Sequence, residues 1–520
     1  MKRCAALWLC AALWLAPAAA RAQASVSGDD PGTAAELIQS LQLDAAERVL
    51  AKLDAAHPDA PGVLFQRSML AFNLGDYPSA IDLSARAIAL TADEHKAETW
   101  RGMHELQKAT ESLTHSYKHQ TSDDGRYAIW FPDGVDSVLV PYALQTLAAM
   151  DKALSQVLGA RVPGPIRLEI YPSAEALAQV STLTLEQIET SGTVALCKWN
   201  RLMVTSPRAL VRGYPWADTI AHELTHLYLT YVTHDRAPVW LQEGNAKMLE
   251  RRWRGDSGGF ALDPAARALL ERATRDDKLL PFDKLHPSIA LLPSQDDASL
   301  AFAQVSTFMD RFVVAHGEAA LRSALALVAK GTDAREALAT AAKQRWPELE
   351  RAWRAALPRA AAEHAPRQLA RRFRANSAQA PDESEDVATT TARRFLRLGD
   401  LLWSRQHVRG AMLEYEKAQH ADADDPIIGA RLARAALRAG DPVRSLAAVE
   451  PLIARYPEHA PTHAVAGAAL RALGRDAEAK VELIEAVRIN PFDPEPHCEL
   501  SRIDPSDRSE QSACALLREH

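Results

Sequence analysis

His222 and His226 stand four residues apart in the run His222-Glu223-Leu224-Thr225-His226. On an α-helix that spacing is about 40° of rotation and about 6 Å of rise, so both imidazoles leave one face. Two neutral imidazoles, one carboxylate and a water make the usual open zinc centre. Glu223 is offset from His222 by about 100°. That places its carboxylate beside such a centre as a general base rather than as a ligand. Zinc lowers the pKa of a water to about 7 and polarises a carbonyl. The chemistry on offer is therefore hydrolysis, with Glu223 taking the water proton and delivering it to the leaving amine.

Helical patterning continues through Tyr231 and breaks over Thr233 to Pro238. Pro238 suits the first turn of a new helix, which carries Trp240-Leu241-Gln242-Glu243-Gly244-Asn245-Ala246. The stretch Trp216–Glu250, with HELTH followed by Pro-x-Trp-Leu-x-Glu-Gly-x-Ala, resembles the gluzincin "peptidase MA-like" group. A looser likeness extends over 120–365. The resemblance implies a zinc metallopeptidase with one Zn2+ per chain, Glu243 as third metal ligand and a protein or peptide substrate. It also implies that Gly244 and Ala246 let the second helix pack closely on the first. His234, eight residues after His226, is an alternative third ligand. A metzincin is excluded, because the positions that would need Gly and His hold Leu229 and Val232.

Gluzincins often bring a Tyr or His from a later helix to the oxyanion. The corresponding segment here, Leu300–Val305, carries Phe302, which leaves Tyr228, Tyr231 and His316 as candidates. Lys247 stands four residues after Glu243, where an acid would be useful. Glu250, two turns on, is then the candidate for fixing a histidine tautomer. By the same resemblance, strand Thr193–Cys197 is the sheet edge that receives an extended substrate.

These residues need a scaffold, and the sequence outlines one. Tyr127–Phe131, Ile166–Tyr171, Thr193–Cys197 and Arg201–Thr205 read as strands, with a hairpin tip at Lys198-Trp199-Asn200. Tyr142–Leu158 reads as a helix, and the chain after 206 as mostly helical. Near the C-terminus Gly399, Ala433 and Gly467 recur every 34 residues, as do Ala411, Ser445 and Ala479, and Tyr415, Val449 and Leu483. Pro457 and Pro491 close two of the units. This resembles the tetratricopeptide (TPR) pattern, in which small residues let paired helices approach closely; the early Trp of that motif is missing. Leu41 and Gly75, and Ala46 and Ala80, repeat the step near the N-terminus. The expected fold is an α+β zincin-like peptidase domain between all-α TPR-type regions. Its parts are a signal peptide (1–24), TPR-like hairpins (33–115), the peptidase domain (120–365), a linker (366–390), TPR repeats (391–496) and a C-terminal cap (497–520).

Lys2 and Arg3, the apolar run Cys4–Leu15 and the A-x-A sites at residues 20–24 read as a secretory signal peptide. Export follows as the expectation, with a bacterial periplasm preferred as destination over full secretion. Later stretches fall short of spanning length, so no membrane span is expected. A formal net charge of −7 without a basic cluster excludes the usual nucleic-acid binders. Cys498 and Cys514 are near enough in sequence to staple the C-terminal end, and Cys197 reads as a buried strand residue. The TPR arms imply protein partners. The competing function is an envelope scaffold or quality-control protein whose central domain binds zinc without turnover.

Overall fold

The computed structural model describes residues 30–285, 289, 292–357, 366–374 and 383–519. The expected signal peptide lies outside them. The chain opens with α1 (Pro31–Gln39), α2 (Leu43–Ala56), α3 (Pro61–Leu74), α4 (Tyr77–Leu90) and α5 (Glu94–Thr114). Two helix pairs and a fifth helix are what the weak N-terminal repeat called for. Ala46 and Ala80 are wholly buried where paired helices meet. Gly75 ends α3 in the left-handed region (φ 81°), and Asp76 caps α4 by accepting from Ser79 N–H.

The central sheet holds β1 (Lys118–Thr121), β2 (Tyr127–Phe131), β3 (Ile166–Tyr171), β4 (Ala195–Lys198) and β5 (Arg201–Thr205) in the order β1-β2-β3-β5-β4. The inner strands β2, β3 and β5 run parallel; β1 and β4 are antiparallel edges. Helix α6 (Val140–Leu158) makes the β2-to-β3 crossover and buries Leu147, Met150 and Leu154 against the core. Strand β1 escaped the sequence reading because all four of its residues are exposed and polar, so no alternation marks it. The β4–β5 tip places Trp199 and Asn200 at φ 53° and 55°, the turn that best matches the twist of paired strands.

Short helices α7 (Ala174–Gln179) and α8 (Leu185–Ser191) precede β4. After β5 come α9 (Trp216–Thr233), α10 (Val239–Leu249), α11 (Pro264–Arg275), α12 (Gln295–Ala329), α13 (Ala334–Ala342) and α14 (Trp346–Ala356). Pro238 stands one place ahead of α10, as its N-cap. By length and composition alone α12 is long and apolar enough to cross a membrane, which corrects the expectation that later stretches fall short of that length. Here Val305, Phe308, Met309 and Leu321 of α12 are core residues, and Gly317 (φ 79°) breaks its regularity.

The C-terminal array consists of α15 (Thr390–Ser404), α16 (Val408–Ala421), α17 (Pro426–Arg438), α18 (Pro442–Ile453), α19 (Ala460–Ala472), α20 (Asp476–Ile489), α21 (Pro494–Ile503) and α22 (Arg508–Glu519). The fold is thus an α+β domain between helical repeats. A Cβ on Gly399 would sit 2.4 Å from the Tyr415 ring, and one on Gly467 2.6 Å from Leu483. The 34-residue recurrence of small residues therefore marks real helix contacts. Cys498 and Cys514 are bridged across α21 and α22, whereas Cys197 is free and half-buried.

Neither repeat region stands apart from the centre. Tyr77 of α4 donates to Glu169 of β3, and Arg201 Nη1 reaches both Tyr77 Oη (2.7 Å) and Glu169 (3.1 Å). On the other side Trp216 Nε1 donates to Val487 O (3.3 Å), and Tyr214 N to Ile489 O (3.0 Å). The connection to the array is docked as well. Val211 N donates to Arg372 O, and Arg374 N to Ala209 O, at 3.0 and 2.7 Å.

Candidate metal centre

Helix α9 starts after Pro215 and ends at His234, whose left-handed backbone (φ 52°) turns the chain toward α10. The two helices lie side by side beneath α12, and their facing side chains converge. His222 Nε2 and His226 Nε2 are 3.1 Å apart, and Glu243 Oε2 lies 3.2 Å and 3.3 Å from them. Ligands of a tetrahedral ion with bonds of about 2.0–2.1 Å stand about 3.3 Å from one another. The donor triangle therefore has the size that zinc requires. One cation satisfies three inward-facing donor atoms at once, which one proton cannot.

Behind this triangle Glu250 Oε2 lies 3.2 Å from His222 Nδ1, and Lys247 Nζ holds Glu250 Oε1 at 2.6 Å. A carboxylate at Nδ1 draws the imidazole proton to that side and leaves Nε2 bare for a metal. The importance of Lys247 was missed by the sequence reading. Its signal was the i, i+3 spacing to Glu250.

Charge shifts at the centre describe protons in place of a cation. Burial disfavours an imidazolium at His222, but hydrogen bonds to Glu243 and Glu250 outweigh it and push the pKa up to about 10. Burial likewise opposes ionisation of Glu243, yet the neighbouring histidines hold its carboxyl below the ordinary range. Glu223 is 6% exposed, and burial raises its carboxyl pKa, with partial relief from His226 and His222. Among the described residues nothing hydrogen-bonds it. A buried, unengaged carboxylate with a raised pKa is suited to proton transfer. Cys197 of edge strand β4 lies close enough for the Glu223 charge to raise its thiol pKa further, after burial.

The three oxyanion candidates are elsewhere, which corrects the sequence expectation. Tyr228 is fully buried and donates to Asp151 Oδ1 at 2.6 Å, about 200° around α9 from His226. Tyr231, about 140° away, is half-buried against the central core. His316 packs beside Phe312, fourteen residues and about 21 Å along α12 from Phe302. Phe302 is the residue at the centre, its ring 6.1 Å from that of His222. His234, the alternative third ligand, is exposed at the end of α9; the clustered ligand atoms are those of His222, His226 and Glu243.

Residues 145–359 match the family model of the Peptidase MA superfamily. No curated protein matches the chain. Among solved structures, leukotriene A4 hydrolase from Saccharomyces cerevisiae is similar at 12% identity and a TM-score of 0.30, covering 78% of this chain and 66% of that one. Yeast Tom70 is similar at 11% identity and a TM-score of 0.22, covering 94% and 84%. The first TPR of Spaghetti (RPAP3), bound to an HSP90 peptide, is similar at 16% identity and a TM-score of 0.20, covering 25% and 94%.

Proposed function

We propose that this chain is an exported zinc-dependent peptidase that hydrolyses peptide bonds in protein or peptide substrates, with repeat arms that bind protein partners. The observation that carries the reading is the convergence of His222, His226 and Glu243 beside the unengaged carboxylate of Glu223. The family match over 145–359 supports it. Bound zinc would supply Lewis acidity to a water and to the scissile carbonyl. Glu223 takes the proton and returns it to the leaving amine. Glu250 holds His222 in the tautomer that presents Nε2. The exposed edge of β4 offers backbone groups for an extended substrate. The Cys498–Cys514 bridge supports an oxidising compartment, in keeping with signal-directed export to a periplasm.

The test compares wild type with Glu223→Gln on an unfolded protein substrate, with and without chelator. Wild type is expected to lose activity on chelation and regain it with zinc. Glu223→Gln is expected to keep the metal and lose about a hundredfold to ten-thousandfold in rate. Equal rates in the two zinc-loaded proteins would remove the peptidase reading. A zinc-binding scaffold without turnover is the second reading, favoured by Phe302 standing where a polar oxyanion partner would be useful.

A further inference from the structure

The segment 366–374 carries four arginines, and three of them are satisfied. Arg367 Nη2 lies 2.5 Å from Asp425, and Arg372 pairs with Glu385 (3.0 Å) and Asp386 (2.8 Å). Arg374 donates to the carbonyls of Leu210 and Val211. Arg371 differs. Among the described residues its guanidinium has no carboxylate within ion-pair distance, and its hydrogen bond is a long one, 3.4 Å from Nη1 to Gly192 O. Its main chain is well anchored, with N donating to Gln295 Oε1 at 2.9 Å.

That anchorage ties the arginine segment to the start of α12. Gln295 is the first residue of α12, and its Nε2 reaches both Arg371 O and Glu189 O at 3.4 Å. A Cβ on Gly192, in the lead-in to β4, would come within 2.9 Å of the Gln295 side chain. The start of β4, the start of α12 and the arginine segment therefore meet at one place. Phe302, over His222, lies seven residues further along α12, about 10 Å away. Arg371 also lines a cavity of about 60 Å³ with Tyr214, Asp263 and Glu458. Both acids there are beyond ion-pair distance, so they offset its charge without occupying its N–H groups.

Chain polarity decides what such a guanidinium would meet. A peptide that adds antiparallel to β4 presents its C-terminal end at the N-terminal end of that strand, beside Gly192. The planar fork of an arginine matches a carboxylate in two parallel hydrogen bonds. We infer that Arg371 binds the C-terminal carboxylate of a peptide laid along β4, so that the enzyme removes fragments from carboxyl termini. This rests on the peptidase reading above for its chemistry. The scissile C–N bond breaks, water supplies the hydroxyl of the new carboxyl group, and its other proton leaves with the amine fragment through Glu223.

The inference is tested on the full-length, zinc-loaded chain carrying Glu223→Gln, which separates binding from turnover. Fluorescence anisotropy compares a labelled peptide with a free C-terminal carboxylate against the same peptide with a C-terminal amide. The free acid is expected to bind about tenfold tighter or more. Adding Arg371→Ala should bring the acid down to the level of the amide, and Arg371→Lys should retain part of the difference. Zinc content and melting temperature verify that these variants fold. With Glu223 present, mass spectrometry of the free acid should show loss of C-terminal fragments. Equal binding of acid and amide, no binding of either, or a preference untouched by Arg371→Ala overturns the inference. A clear acid preference in a wild type that never cleaves would overturn the peptidase reading alone.

Discussion

At the residue scale, the centre is a set of mutual constraints. Glu243 Oε2 lies within 3.3 Å of both imidazole Nε2 atoms, so its removal takes away one of three converging donors. Glu243→Ala is expected to lower zinc stoichiometry as severely as His226→Ala, as read by metal analysis after dialysis. Full occupancy in Glu243→Ala would reopen the choice of third ligand. Glu250 contacts His222 Nδ1 and lies outside the donor triangle, so on the zinc reading Glu250→Gln should weaken zinc affinity by about ten- to a hundredfold. A competition titration against a chelator measures this, and unchanged affinity would reduce Glu250 to a partner of Lys247. The positions of His222, Glu223 and His226 were legible because helix geometry is local. Those of Tyr228, Tyr231 and His316 were not. Each is a polar aromatic near the motif in sequence, and only packing shows which way it points.

At the element scale, the approach of α10 to α12 sets where Glu243 stands. A Cβ on Gly244 would come 2.8 Å from both Met309 Cγ and Val305 O of α12. Gly244→Ala should therefore cost about 1–3 kcal/mol of stability and displace the adjacent ligand. Denaturant unfolding and zinc content read the two effects, and an unchanged protein would show that the helices can separate without consequence. The repeats also explain their own missing aromatic. The recurring position is held by Phe395, Gly429, His463 and His497, spaced by 34. His463 bridges Glu482 (2.7 Å) and Pro457 O (3.1 Å), and His497 bridges Glu510 (2.7 Å) and Pro491 O (2.9 Å). At His463 and His497 polar ties to the helix-closing prolines replace an apolar ring, which only Phe395 among the four positions keeps.

At the scale of the whole molecule, both arms are keyed into the central α+β domain. Glu169 is fully buried beneath the N-terminal repeats. Burial opposes its charge, but Arg201 and Arg167 outweigh that and hold the carboxyl at about 2, against an ordinary 4.5. A depressed pKa contributes stability in full above about pH 4.5, and the contribution fades as pH falls toward about 2. Wild type should therefore lose stability across that window, while Glu169→Gln, weaker at neutral pH, should lose less. Parallel pH–stability curves for the two would discount the buried charge. The C-terminal array supports α9 directly. Val487 and Ile489 accept from Trp216 and Tyr214, Arg254 joins Asp218 to Glu485, and Ala513 belongs to the central core. Deleting residues 390–520 is thus expected to destabilise the peptidase domain and lower its zinc content. A fully loaded core with an unchanged melting temperature would show the array to be dispensable for folding.

The amino-acid sequence by itself determined the His222–His226 pentad, the recurrence of small residues every 34 positions, and four strands rich in β-branched and aromatic residues. Each is written in spacings shorter than one or two elements, where helix pitch and strand pleat translate directly into geometry. Tertiary structure alone decided that Tyr228, Tyr231 and His316 lie away from the centre, that Lys247 holds Glu250 behind His222, and that a charged connection docks Arg371 beside the lead-in to β4. Those outcomes depend on contacts between residues far apart in the chain, and no periodicity records them.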